Sequence, residues 1–197
     1  MTEKKNGIIQ RYYEIQGIKL FCKYFIFNGK VEGIDKKYYK NGKLYNICNY
    51  INGKKEGEYK EYWNNGQIAL ICNYVNEKKE AKSKSYHDNG QLSLIYNYKN
   101  NKKEGEFKRY YYNGKIQIIC NYKNDNLEGE YKYYYRNGKI QMIRNYKNDK
   151  FEGEYKQYSY VGELQEIHYY IDDKREDEYI KYNKNTQSLK TCNILWK

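Results

Sequence analysis

Apolar and polar positions along this chain never settle into the 3.6-residue rhythm of a helix. Asn and Gly also interrupt every window too often for one. Short runs rich in Tyr, Ile and Phe alternate instead with Asn- and Gly-rich clusters, as in residues 107–112 and 115–123, which have strand length and strand composition. These runs recur. Stepping by 24 residues from Glu32 reaches Glu56, Glu80, Glu104, Glu128, Glu152 and Glu176, and six positions further on stand Tyr38, Tyr62, Tyr86, Tyr110, Tyr134, Tyr158 and Tyr182. Two columns without exception over seven repeats define a tandem repeat. The predicted fold class is therefore all-β, with about eight stacked antiparallel β-hairpins forming one long twisted ladder. The repeats span approximately 6–31, 32–55, 56–79, 80–103, 104–127, 128–151, 152–175 and 176–197 of a single domain.

Each repeat carries two turn signals. Asn41-Gly42, Asn65-Gly66, Asn89-Gly90, Asn113-Gly114 and Asn137-Gly138 lie between its two strands, and Gly162 alone survives in the next repeat. Asn-Gly is the strongest short hairpin signal, and it predicts a type I′ turn with positive φ at both residues. The second connection, as in Asn124-Asp125-Asn126, turns the chain into the next repeat. A lone hairpin is marginal in water, so stacking of neighbours must supply the stability. At about 10 Å per two-strand repeat, the body is expected to be elongated, on the order of 75 Å. The first repeat, with Gln16-Gly17 in place of Asn-Gly, and the last, with Asn185-Thr186 and a terminal Ile194-Leu195-Trp196, look like caps on open edges. Around Ala81-Lys82-Ser83 the repeat loses its glycine and its following aromatic, which predicts a local bend or groove.

Composition changes the picture in one respect. Leu, Ile, Val and Phe are too scarce for a thick core, and such a chain would ordinarily stay disordered. Its 29 tyrosines reverse that expectation, because each ring buries apolar area while its hydroxyl stays wet. The core is expected to be thin and built from tyrosine. The net charge of +12 suits an anionic partner, although codon bias toward Lys, Asn, Tyr and Ile accounts for much of it. Neither a secretory signal nor a membrane-spanning run is evident, so the cytoplasm is the expected location.

The repeat unit seen in residues 104–123, EGEFKRYYYNGKIQIICNYK, resembles the variant MORN repeat, whose bacterial form includes the YwqK-like antitoxin family. The resemblance rests on Glu104-Gly105 and Glu128-Gly129, the paired aromatics Tyr110-Tyr111 and Tyr134-Tyr135, the Asn-Gly turns, and the Asn-Tyr pairs such as Asn121-Tyr122. It implies a non-enzymatic interaction module: a scaffold, or an immunity or antitoxin component acting on a toxin.

Catalytic chemistry finds little support. His87 and His168 stand without a nucleophile or ligand pattern, and no catalytic, cofactor-binding or metal-binding residue is assigned. Cys48, Cys72, Cys120 and Cys192 share a column, joined by Cys22, and read as free, partly buried thiols. The glutamate column is expected to form cross-strand pairs with Lys36, Lys60, Lys84, Lys108, Lys132 and Lys156. Recognition should fall on the columns that vary between repeats: Tyr45, Gln117 and Gln141 in one, Lys37, Arg109, Tyr133 and Gln157 in another. The expected partner is a protein with an acidic surface, such as a toxin, bound by a monomer. Nucleic acid stacked on tyrosines and anionic membrane met by lysines are the alternatives.

Overall fold

The computed structural model describes residues 6–15, 18–183 and 188–193. The turns at Gln16-Gly17 and Asn185-Thr186 and the terminal Ile194-Leu195-Trp196 lie outside them. The chain divides into two compact units, residues 1–102 and 103–197, each described by itself. Every described element is a strand.

The first unit holds β1 (Gly7–Ile15), β2 (Ile18–Phe27), β3 (Lys30–Tyr39), β4 (Leu44–Ile51), β5 (Lys54–Tyr62), β6 (Ile68–Val75), β7 (Lys78–Tyr86) and β8 (Leu92–Lys99), each paired antiparallel with the next. The two-residue β9 (Lys102–Lys103) falls at the division. The second unit continues with β10 (Gly105–Tyr110), β11 (Ile116–Lys123), β12 (Asn126–Leu127), β13 (Gly129–Tyr134), β14 (Ile140–Lys147), β15 (Lys150–Phe151), β16 (Gly153–Tyr158), β17 (Leu164–Ile171), β18 (Lys174–Asn183) and β19 (Ser188–Asn193). Its pairing is again antiparallel between sequence neighbours, and β11 also pairs with β13 and β14 with β16 past the two-residue strands between them.

The two kinds of turn are the reverse of the sequence expectation. Type I′ geometry, with positive φ at both central residues, occurs in the second connection: Asn28-Gly29, Asn52-Gly53, Asn76-Glu77, Asn100-Asn101, Asn124-Asp125, Asn148-Asp149 and Asp172-Asp173. At Asn41-Gly42 only the glycine has positive φ (82°). Gly42 N–H donates to Tyr39 C=O at 2.9 Å, and Tyr39 N–H donates to Lys43 C=O at 2.8 Å. This is a three-residue loop, a type I turn closed by a left-handed glycine. Asn41 serves the loop in another way: its Oδ1 accepts from Lys43 N–H, two residues on, and Asn65, Asn89, Asn113 and Asn137 do the same.

The invariant glutamates also differ from expectation. Glu32 accepts from the N–H of Asn52, and Glu56, Glu80, Glu104, Glu128 and Glu152 accept from Asn76, Asn100, Asn124, Asn148 and Asp172, each twenty residues on. Each carboxylate thus ties down the first residue of a type I′ turn. The lysine column pairs with a different set of glutamates, two positions earlier on its own strand: Lys60–Glu58, Lys108–Glu106, Lys132–Glu130 and Lys156–Glu154, at 2.5–2.7 Å. Residues two apart on a strand share a face, so this pairing is shorter than any reach to the glutamate column.

Stacking of repeats is stitched at both ends of the strands. Asp125 N–H donates to Lys103 C=O while its Oδ1 accepts from Lys103 N–H at 2.8 Å, and Asp149 does the same with Leu127 and Asp173 with Phe151. At the opposite end, the hydroxyls of Tyr39, Tyr111 and Tyr135 donate to the carbonyls of Tyr62, Tyr134 and Tyr158. These bonds each span one repeat, which is the physical reason the period is held so strictly.

Ala81-Lys82-Ser83 forms no break. Ala81 keeps the left-handed backbone (φ 60°) of its counterparts Gly33, Gly57, Gly105, Gly129 and Gly153. Ser83 is buried opposite Tyr96, where other repeats set Tyr59 opposite Cys72 and Phe107 opposite Cys120. Large and small have exchanged strands. The Tyr96 ring lies 5.8 Å from Tyr98, matching the 5.9 Å of Tyr59 to Tyr74 and of Phe107 to Tyr122. The aromatic place is filled from the other strand, so no groove opens.

Candidate functional site

Strand alternation gives the two faces of each sheet different characters. On one face the register sets Lys36, Ile47, Lys60, Ile71, Lys84 and Ile95 side by side, and in the second unit Lys108, Ile119, Lys132, Ile143, Lys156 and Ile167. This Lys–Ile alternation holds from Lys36 to Ile95 and from Lys108 to Ile167; beyond it Lys23 stands beside Lys36 and Ile180 beside Ile167. The other face, the tyrosine face, packs Tyr59, Tyr74, Tyr131 and Tyr155 with the buried thiols, whereas the invariant Tyr62, Tyr110, Tyr134 and Tyr158 lie beside the lysines. Tyr59, Cys48 and Cys72 form its core in the first unit, packed by Tyr50, Leu70 and Tyr74. The thiols of Cys22, Cys48, Cys72 and Cys120 are free and buried. Burial drives each of them up, Cys120 to about 12 against the weaker opposite pull of Lys103. They are packing groups, not nucleophiles.

Beside that core runs a row that differs at almost every step. It reads Lys37, Asn46, Glu61, Leu70, Ser85 and Leu94 in the first unit, and Arg109, Ile118, Tyr133, Met142, Gln157 and Glu166 in the second. One of the two columns expected from the sequence, Lys37, Arg109, Tyr133 and Gln157, therefore lies on the tyrosine face. The other column sits at a bulge. Lys37 pairs with Asn46 and Tyr38 with Leu44, leaving Tyr45 as the extra residue, and Gln117 and Gln141 are skipped in the same way. The bulge turns them toward the same row. Gln117 Nε2 donates to Tyr133 Oη at 3.3 Å, and Tyr45 packs edge-on against Tyr39 at 5.2 Å.

In the first unit the polar groups around Tyr59 satisfy one another. Tyr59 donates to Glu61 at 2.9 Å and accepts from buried Asn46. Burial first, then the Glu61 charge, holds its hydroxyl well above the ordinary tyrosine range. Asp35 is buried 3.8 Å from Lys37 with its Oδ1 unpartnered, and burial raises its carboxyl against the pull of Lys37.

The second unit brings three expected residues together. Tyr133, Gln141 and Gln157 line a depression of about 260 Å³ with Tyr131, Met142, Tyr155 and Arg144. Lys37 and Tyr45 belong to the first unit and stand apart from this group, and Arg109 does not line it. Arg144 escaped the sequence analysis, although a signal existed: it occupies the column that holds Cys48, Cys72 and Cys120 elsewhere. Its guanidinium carbon lies 4.8 Å from the ring centre of Tyr131, 5.4 Å from Tyr146 and 5.0 Å from Phe151. Among the described residues no group of three His, Cys, Asp or Glu is placed to hold a metal ion, and no helix is long and apolar enough to cross a membrane.

Hairpin repeats with one constant and one variable row define a tandem-repeat protein. Residues 31–52, 55–76, 79–100, 103–124 and 127–148 each match the family model of the MORN repeat variant. These stretches cover more than half of the chain, which belongs to that family. Each stretch contains one invariant glutamate and ends at the Asn whose N–H that glutamate accepts, so the bond from Glu32 to Asn52 and its successors closes every matched unit. A comparison with curated proteins finds no match.

Proposed function

We propose that the chain is a non-enzymatic protein-interaction module that engages one partner along its tyrosine face. The observation that carries this is the contrast between two rows: the Lys–Ile row repeats unchanged from Lys36 to Ile95 and from Lys108 to Ile167, while the row from Lys37 to Leu94 and from Arg109 to Glu166 differs at nearly every position. Structure alone is served by identical residues, as the Lys–Ile row demonstrates. Varied side chains on a scaffold of rigid aromatics suit recognition of one specific surface. Family membership and the net charge of +12 support a finer proposal, an immunity or antitoxin protein that covers an acidic surface of a toxin.

Affinity capture from a lysate of the source organism, with and without nuclease, tests the proposal. The expected result is one stoichiometric protein that survives nuclease, is lost with Tyr133→Ala and is retained with Lys132→Ala on the opposite face. Equal loss in both variants would sink the face assignment. Capture that vanishes with nuclease would put nucleic acid first, and recovery only with anionic vesicles would put membrane first.

A further inference from the structure

Arg144 is an unfavourable substitution in its column. Where three other repeats bury a thiol, this one half-buries a guanidinium among Tyr131, Tyr146 and Phe151, and its Nε is sealed from solvent with no acceptor. Half-burying a cation is unfavourable unless its surroundings compensate; the three ring faces and Tyr131 offset part of that cost but supply no counter-ion. Among the described residues Arg144 forms no ion pair. The carboxylates of the adjoining strands are committed elsewhere: Glu130 to Lys132 and Glu154 to Lys156, both on the other face and both at 2.5 Å.

The surroundings are laid out as a receptor. Arg144 lines the depression with Tyr133, Gln141 and Gln157. Tyr155 donates to Gln157 Oε1 at 2.9 Å, so the Gln157 amide nitrogen is left to donate into the space. A volume of about 260 Å³ takes a side chain, not a drug-sized molecule. No lysine lines it, and one cation with neutral amide donors matches a monoanion better than a phosphate dianion, which draws in several cations.

We infer that the depression around Arg144 is a subsite for one acidic side chain, the carboxylate of an Asp or Glu presented by a protein partner, held by the guanidinium and flanked by Gln141 and Gln157. This rests on the protein-interaction function proposed above and names the chemistry at its centre.

The test is titration of the full chain with N-acetyl-Gly-Glu-Gly-amide, its Gln counterpart and inorganic phosphate, followed through the Gln157 side-chain amide resonance, which every variant retains. The Glu peptide should shift that signal saturably, with the Gln peptide roughly tenfold weaker or more, as expected for loss of a charge-assisted bond. Arg144→Cys, which restores the residue found at positions 48, 72 and 120 and so preserves the fold, should abolish the response. Lys123→Ser makes the same charge change at an exposed site and should leave it intact. Equal response to both peptides, no response, competition by phosphate at equal strength, or persistence in Arg144→Cys would each overturn the inference. The broader function fails separately. A partner captured by Arg144→Cys but not by Tyr133→Ala overturns the carboxylate subsite alone, whereas Glu-peptide binding with no protein captured supports the subsite and sinks the dedicated partner.

Discussion

At the scale of single residues, the repeat is held by backbone bonds that its invariant side chains make. Glu104 accepts from Asn124 N–H at 2.9 Å, and removing it leaves a turn donor to water. Glu104→Ala should cost about 1 kcal/mol, and Glu104→Gln less because an acceptor remains, measured as shifts in urea midpoint. Lys108→Ala breaks only the same-strand pair with Glu106 and should leave that midpoint nearly unchanged. Ala81 is the converse case. It bears φ 60°, where an L residue is less stable than glycine by about 1 kcal/mol. Ala81→Gly should raise stability by about that amount with an unchanged urea slope, and a loss of stability would show that its methyl group packs favourably.

At the scale of elements, two turns that look alike in sequence do different work. The Asn-Gly loop needs one left-handed residue, whereas the turn between repeats needs two. Gly53 meets that demand without strain. Glu77 meets it at φ 66°, and among the described residues its side chain makes no counterpart of the Asp125 bond to Lys103 N–H. Glu77→Gly should therefore stabilise the hairpin by about 1 kcal/mol, read from the thermal midpoint. Asp125→Gly should gain less, because relief of the same strain is offset by loss of the Oδ1 bond. The strand pair at Ser83 and Tyr96 shows a second rule: volume is conserved across a pair, not within a column.

Across the whole molecule, the buried groups on the tyrosine face share one pH response. Burial raises the thiols of Cys22, Cys48, Cys72 and Cys120 and the hydroxyls of Tyr59 and Tyr74. A thiol with ordinary value 9.0 that stands near 12 when folded adds stability that is complete below about pH 8 and lost as pH rises toward 12. The urea midpoint should be flat through neutral pH and fall above about pH 9, and thiol reagents should label these cysteines only as the chain unfolds. Labelling at the rate of a free thiol under native conditions would contradict that burial. Much of this architecture was legible in sequence. The 24-residue period, the strand runs and the hairpins follow from local pattern, because glycine, asparagine and alternating apolar residues act on their immediate neighbours. The columns Lys37, Arg109, Tyr133 and Gln157 stood out by variation alone. Which turn would be type I′, which partner Glu104 would choose and which residue would replace the missing aromatic at Ser83 depended on contacts across strands and across repeats, often twenty or more residues away. The shared face of the variable columns depended on a bulge, whose one extra residue redirects Tyr45, Gln117 and Gln141 without leaving any mark in composition. Arg144 was visible as a letter out of column, but only its neighbours' rings and the absence of an ion pair among the described residues made it a candidate site, since a charge acquires its cost from what surrounds it.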